Sequence, residues 1–264
     1  MNAQPLLIDK DSKIGILMLH GFTSTPRQFK ELGEFLASHG FTVYAPLIAG
    51  HGTNPQDLMR TTQEEWKLSV KNAYLDFKKG VEKVVLVGNS FGANLAFWLA
   101  REFNNEMLGI VSLGAPVFLR WERIIKFRLF TYGRFMMERY YKKPRRLFRT
   151  DYTDMKDEVS YPVIPVRSLF EFFKFLEEET RIHLDKVKVP VLIAYASHDR
   201  VIHPRSADYL FSHLGSEEKE IFWFPANVHG KITNGCPGLF PKIYQFIEKN
   251  TKSAYKKDLD FKNV

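Results

Sequence analysis

The chain has one cysteine, Cys236, so it can form no internal disulfide and no multi-cysteine metal site. No apolar run approaches the ~18 residues of a membrane-spanning helix. The amino-terminal stretch MNAQPLLIDKDSK has no apolar h-region, so no secretory signal is expected. A reducing cytoplasm is the compartment these absences favour. Glycine spacing of the P-loop or dinucleotide kind is missing, and so is a paired-histidine spacing such as H-x-x-x-H. No cofactor and no metal ion are therefore expected. Internal repeats and low-complexity tracts are also lacking.

What is present is ordinary in bulk and uneven in detail. At 264 residues, with 45% apolar and 26% charged residues, the chain suits one large soluble core carrying at most a substantial insertion. The formal charge of +8 is concentrated. Between Leu119 and Arg149 stand 11 Lys and Arg against Glu122 and Glu138, a local +9, which leaves the rest of the chain at −1.

Short apolar runs alternate with segments of helical period, the pattern of a parallel α/β sheet. IGILML (14–19), FTVYA (41–45), KVVLVG (83–88), MLGIVSL (107–113), VLIAYA (191–196) and EIFWF (220–224) read as strands. The first intervening helix should open with Thr25 as N-cap, Pro26 at its first position and Gln28 completing a capping box. A second capping box pairs Thr62 with Glu65, ahead of a face of Trp66, Val70, Ala73, Tyr74 and Phe77. Later helix faces carry Ala207, Leu210, Phe211 and Leu214, then Leu239, Ile243, Phe246 and Ile247.

One connection is too long. Roughly 75 residues separate the strand ending near Leu113 from the one beginning at Val191, where an ordinary crossover needs a single helix. The segment has helix-like patches and no convincing strand, so it reads as a helical insertion over the carboxyl edge of the sheet, where ligands bind in open α/β folds. The expected organisation is a core of 1–116 and 186–250, a helical cap of 117–185, and a loosely attached lysine-rich tail of 251–264.

Directly after KVVLV comes GNSFG, residues 88 to 92. A serine between glycines at a strand-to-helix turn fits a nucleophile elbow, which exposes the hydroxyl of Ser90 at the top of the sheet. Such a hydroxyl needs a base. Among the eight histidines, His229 follows the last strand and lies at the same edge. His39 and His213 fall in helices or at their ends, and His183 lies on the opposite side of the sheet. His198 and His203 flank Asp199 and compete, although neighbours in sequence rarely fold back to pair with that aspartate. Asp199 itself follows VLIAYA and would orient the base, or else serve only as a turn residue ahead of Pro204. The order Ser, Asp, His, each after a strand, is that of hydrolases with this arrangement. The backbone N–H groups of Phe91 and Phe22 are candidates for an oxyanion hole, the second because Gly21 lets the loop come close. His20 reads as structural.

Together, LHGF (19–22), AGHG (49–52), GNSFG, SHDRVIHP and NVHG resemble the bacterial carboxylesterase and monoacylglycerol lipase branch of the α/β-hydrolase superfamily. The resemblance spans roughly residues 14 to 250. It implies an α/β-hydrolase fold, a mostly parallel sheet flanked by helices with a helical cap insertion. It also implies Ser90, Asp199 and His229 as the triad, Phe22 and Phe91 as oxyanion donors, and a loop role for His51. Val117 and Val201 are expected to line the substrate pocket. The implied activity is hydrolysis of carboxylic acyl esters, short- to medium-chain or monoacylglycerol-like, through an acyl-enzyme. A thioesterase or acyltransferase would use the same residues. Two departures stand out: Asn89, where an apolar residue or histidine is common, and the basic cap. The cap's interleaved aromatics suggest peripheral contact with anionic membrane lipid. Nucleic acid is a weaker reading, since no recognised binding motif accompanies the charge.

Overall fold

The computed structural model describes residues 3–132, 137–143, 160–227, 229–230, 232 and 235–262. Its centre is a seven-stranded sheet with strands β1 (Leu6–Ile8), β2 (Ile14–Leu19), β3 (Thr42–Ala45), β4 (Lys83–Asn89), β5 (Met107–Leu113), β8 (Val191–Ala196) and β9 (Lys219–Phe224). The order across the sheet is β1-β3-β2-β4-β5-β8-β9. Only β1 runs antiparallel to its neighbour. This three-residue edge strand escapes sequence reading because LLI alternates between half-buried and exposed positions with no apolar run to mark it.

The central strands read as unbroken apolar runs because both faces are covered. On β2, Leu17 and Leu19 enter the cluster built with α3 (Gln63–Lys78) and α4 (Phe91–Glu102). Ile14, Ile16 and Met18 enter the opposite cluster, with α1 (Lys30–Ser38) and α8 (Leu239–Lys262). The result is a helix–sheet–helix sandwich. Leu239, Ile243, Phe246 and Ile247 are all buried, as their spacing predicts. On α7 (Arg205–His213), Ala207 and Leu210 are buried and so is Leu214 just beyond it, but Phe211 is exposed.

Local signals fare unevenly. The capping box at Thr62 and Glu65 is formed in both directions. The one expected at Thr25 is not: Thr25 makes no side-chain cap, and a short 3-10 turn (Pro26–Phe29) precedes α1. Gln28 is engaged elsewhere, its Oε1 accepting from Ser24 Oγ at 3.0 Å and Asn89 Nδ2 at 2.9 Å. The carboxy-terminal segment is helical. α8 runs on to Lys262, and Ala254 packs against the core.

Between β5 and β8 the chain leaves the sheet. It forms α5 (Glu122–Tyr132), then β6 (Tyr140–Lys142) paired antiparallel with β7 (Val163–Pro165), then α6 (Val166–Phe175), which continues helically to His183. The small β6–β7 pair corrects the expectation of no strand there. Its residues are too few, and β6 too exposed, for an apolar pattern. Polar ties fasten this segment to the sheet. Glu179 pairs with Lys67 of α3 at 2.8 Å and Arg101 of α4 at 2.7 Å. Within the segment itself, Arg181 holds the Val117 carbonyl and Glu122. Among the described residues no helix is long and apolar enough to cross a membrane.

Candidate active site

The carboxyl ends of β2, β4, β8 and β9 meet at one edge, and each carries a residue singled out above. The tightest element is the turn after β4. Ser90 adopts φ 52°, ψ −124°, a region L-residues rarely enter. The flanking glycines make that turn possible. A Cβ on Gly92 would stand 1.9 Å from the Leu19 carbonyl oxygen, and one on Gly88 would stand 2.3 Å from Ala93 Cα. A side chain at Gly92 would push α4 off the end of β2, and one at Gly88 would push it off β4. The Ser90 N–H is held by the Leu113 carbonyl at 2.7 Å, which ties the turn to β5 as well.

Of the candidate histidines, His229 is the one the fold brings between Ser90 and Asp199. Its Nε2 lies 2.8 Å from Ser90 Oγ, and its Nδ1 lies 2.7 Å from Asp199 Oδ2. His198 and His203 make other contacts, Ser197 Oγ for the first and the Arg205 N–H for the second. Asp199 also does the turn-residue work that the sequence left open as an alternative. Its Oδ1 accepts the backbone N–H groups of Val201 at 2.8 Å and Ile202 at 2.9 Å, leaving Oδ2 for the ring. Burial pushes its carboxyl up, but the His229 ring and these hydrogen bonds outweigh that and hold it below the usual carboxylate range. Arg120 Nε donates to the Asp199 carbonyl oxygen at 2.9 Å, a support that sequence reading missed inside the basic run.

The loop after β2 closes against this turn. A Cβ on Gly21 would meet Asn89 O and Ser90 Cβ at 3.3 Å, so the backbone at Phe22 passes directly beside the serine. Phe22 and Phe91 are neighbours, with ring centroids 5.9 Å apart. Phe91 N–H is the first of α4, where no intrahelical acceptor exists. His20 is fully buried. Its Nε2 accepts from the Ile48 N–H at 3.1 Å, so Nδ1 carries the proton and donates to Gly21 O at 3.1 Å. Burial, with His51 nearby, keeps it neutral. It is a loop clamp, as is His51, whose Nδ1 bonds Ala49 O at 2.9 Å. Asn89, the unusual residue before the serine, donates to Gln28 and to Gly230 O at 3.3 Å, steadying the turn beside His229.

A cavity opens over Ser90 and His229. Leu119, Ile164, Leu169, Phe172, Val201 and Ile202 form its apolar wall. Val201 is thus part of the cavity wall. Val117 is not: it is fully buried in the hydrophobic core, and Pro116 reaches the cavity instead.

A sequence profile of the family described as serine aminopeptidase, S33, matches residues 10–234. The chain belongs to that hydrolase family. It is 32% identical over 249 residues to a thermostable monoacylglycerol lipase of Bacillus sp. (strain H-257), covering 94% of this chain and 95% of the relative. It is 27% identical over 236 residues to a carboxylesterase of Bacillus subtilis (strain 168), covering 89% and 92%. A solved structure from work on LipS and LipT, two metagenome-derived lipolytic enzymes, superimposes with a TM-score of 0.79 at 26% identity, covering 94% of this chain and 98% of the other. The chain is an α/β-hydrolase of the carboxylic ester hydrolase kind.

Proposed function

We propose that this ester hydrolase cleaves acyl esters through an acyl-enzyme on Ser90, with a monoacylglycerol-like lipid or a short- to medium-chain ester as substrate. The observation that carries the reading is the relay of hydroxyl, imidazole and carboxylate at 2.8 and 2.7 Å. As Ser90 Oγ attacks the ester carbon, His229 Nε2 takes its proton. Asp199 Oδ2 holds Nδ1–H and stabilises the imidazolium. The carbonyl oxygen becomes an oxyanion received by the N–H groups of Phe22 and Phe91. The tetrahedral species then collapses, His229 protonates the departing alkoxide, and the acyl group stays on Ser90. Water repeats the sequence in reverse roles and frees the acid. A thiol leaving group, or an alcohol in place of water, would use the same steps, so thioester hydrolysis and acyl transfer differ only in the partner molecule.

The apolar wall of the cavity suits the acyl chain. The 117–185 segment acts as its cap, and it supports a second reading, peripheral contact with anionic lipid. On α5, Ile125 and Leu129 pack inward, while Ile124, Phe127 and Phe130, with Trp121 just before the helix, face outward. Phe130 is 90% exposed and Trp121 58%. Arg120, Arg123 and Arg128 stand among them, also exposed. An apolar stripe edged with cations is the composition of an interfacial helix.

The deciding experiment for the chemistry is labelling with a fluorophosphonate probe, followed by a chain-length series of nitrophenyl esters and matched thioesters. Wild type should be labelled at Ser90. Ser90→Ala should lose labelling and at least on the order of 10³-fold in turnover while keeping its circular dichroism spectrum. Turnover retained by pure Ser90→Ala would remove Ser90 from the mechanism.

A further inference from the structure

The two N–H groups proposed to receive the oxyanion belong to different elements. Phe22 lies in the loop after β2, and Phe91 opens α4. Such donors work together only while both are aimed at the place where the oxyanion forms, so their spacing must hold. Main-chain contacts bring the two elements together, yet the loop itself is not at rest. Thr23, directly after Phe22, holds φ 63°, a conformation that a β-branched residue keeps only when its surroundings impose it.

One side chain touches both donor residues from behind. Trp66 is fully buried on α3, where the Thr62–Glu65 capping box sets the start of the helix and so the place of the indole. Its ring meets that of Phe22 at 5.7 Å and that of Phe91 at 5.3 Å, both edge to face. Phe22 and Phe91 close the triangle at 5.9 Å, again edge to face. Pairs of this kind prefer particular angles as well as distances, so each ring is set against the other two. His51 adds a further edge on Phe22 at 6.1 Å. Phe172 of α6 reaches the same two rings at 5.1 and 5.4 Å, but from the cavity, whereas Trp66 is not among the residues lining it. The triangle closes without Phe172. A change at Trp66 therefore reaches a bound ester only through its neighbours.

We propose that Trp66 is a positioning residue for the oxyanion hole, holding the rings of Phe22 and Phe91 so that their N–H groups keep one separation. The competing account is that Trp66 fills the core and does nothing more. Trimming a core filler lowers stability and slows every reaction of the site alike. Loosening the oxyanion hole is more selective. It lowers kcat with little change in KM, since the oxyanion exists only in the transition state. It also blunts the discrimination between an ester carbonyl oxygen and sulfur, which is larger and a weaker acceptor.

The inference rests on the Ser90 reading with Phe22 and Phe91 as donors, and the experiment keeps the two apart. Nitrophenyl butanoate and nitrophenyl thionobutanoate differ only in C=O against C=S at the attacked carbon. Wild type should turn over the first far faster than the second. Equal rates would overturn the oxyanion reading and this inference with it. Trp66→Leu should lower kcat on the oxygen ester by about 10- to 100-fold and leave KM nearly as it was. It should also bring the oxygen-to-sulfur ratio down by about tenfold. Trp66→Phe, which keeps an aromatic edge, should restore part of both. Tyr74→Leu removes another fully buried aromatic ring from α3, away from the donors, and should lower Tm while leaving the ratio alone. Both esters are measured on one preparation, so the ratio does not depend on how much of a variant is folded. If Trp66→Leu fails to fold, the ratio in Trp66→Phe decides. A discriminating wild type whose ratio is unmoved in the Trp66 variants, or lowered as much in Tyr74→Leu, would overturn the inference and leave the Ser90 reading standing.

Discussion

Ser90 holds backbone angles that suit glycine better than any other residue, so its presence has a cost that only its side chain explains. Comparing two variants that lack the hydroxyl isolates that cost. Ser90→Ala loses the hydroxyl and keeps the strain, whereas Ser90→Gly loses both. Ser90→Gly should be the more stable by about 1 kcal/mol in denaturant unfolding, despite glycine's larger unfolded-state entropy. Equal stability would mean that the turn is relaxed. Asp199 makes the second residue-scale case. Because its carboxyl is held below the ordinary value, its contribution to stability is full above about pH 4 and is lost as the pH falls further through the lowered value. Asp199→Asn should therefore flatten the acid limb of the stability curve. It should also cost catalysis heavily, since the amide no longer enforces the tautomer that leaves Nε2 free. An acid limb of unchanged steepness would detach Asp199 from this linkage.

At the scale of elements, Glu179 is the point where the helix running on from α6 is bound to α3 and α4. Its side chain is 14% exposed, and those of Lys67 and Arg101 are 12% and 15%. Glu179→Ala leaves Lys67 with Glu64 at 2.7 Å and Arg101 with Glu102 at 3.7 Å as their remaining carboxylates, with little water around either cation. Partial exposure softens the penalty, and a loss of about 1–3 kcal/mol is expected, read as a lower Tm. Turnover of a small soluble ester should fall less than stability does. No change in Tm would show that the three charges are already well solvated.

The elements legible in the sequence are those whose signal is local. The strand runs around β2, β4, β5 and β8 are apolar because both faces are covered, and the Thr62 box is complete within four residues. The Ser–Asp–His order was readable for the same reason, since each residue follows its own strand. What could not be read depends on partners distant in sequence. Gln28 looks like a capping residue until Asn89, 61 positions away, takes its oxygen. β1 exists only because β3 offers an edge. Lys143 looks like one more cation in a basic run, and only the fold brings it to Thr23, 120 positions earlier. Val117 failed as a pocket residue because a shift of one position along the chain, to Pro116, separates the cavity from the core.

Taken whole, the chain has its excess charge within residues 119–149, a run whose described part includes α5. Each cation brought near an anionic bilayer contributes about 1 kcal/mol, over a range set by the Debye length. Co-sedimentation with vesicles of anionic lipid should succeed at low salt and fade at high salt, and neutral vesicles should bind less. Arg123→Glu/Arg128→Glu should weaken the charge-dependent part, and Phe127→Ser/Phe130→Ser the remainder. A companion variant, Arg145→Glu/Arg146→Glu, probes the part of the basic run outside the described residues. Binding indifferent to lipid charge and to the α5 changes would leave α5 as a plain cover.

The contact between Gly92 and the Leu19 carbonyl joins main chain to main chain, and the Gly21 loop meets the Asn89 carbonyl in the same way. Ser90 and the N–H groups proposed to serve it are thus positioned by main-chain contacts. This separates two tasks that many catalysts entangle. Randomising Leu119, Ile164, Leu169, Phe172 and Val201 would redraw the shape of the chamber while the reacting atoms kept their alignment. A library built on those five positions would explore new substrates without first having to rediscover the chemistry.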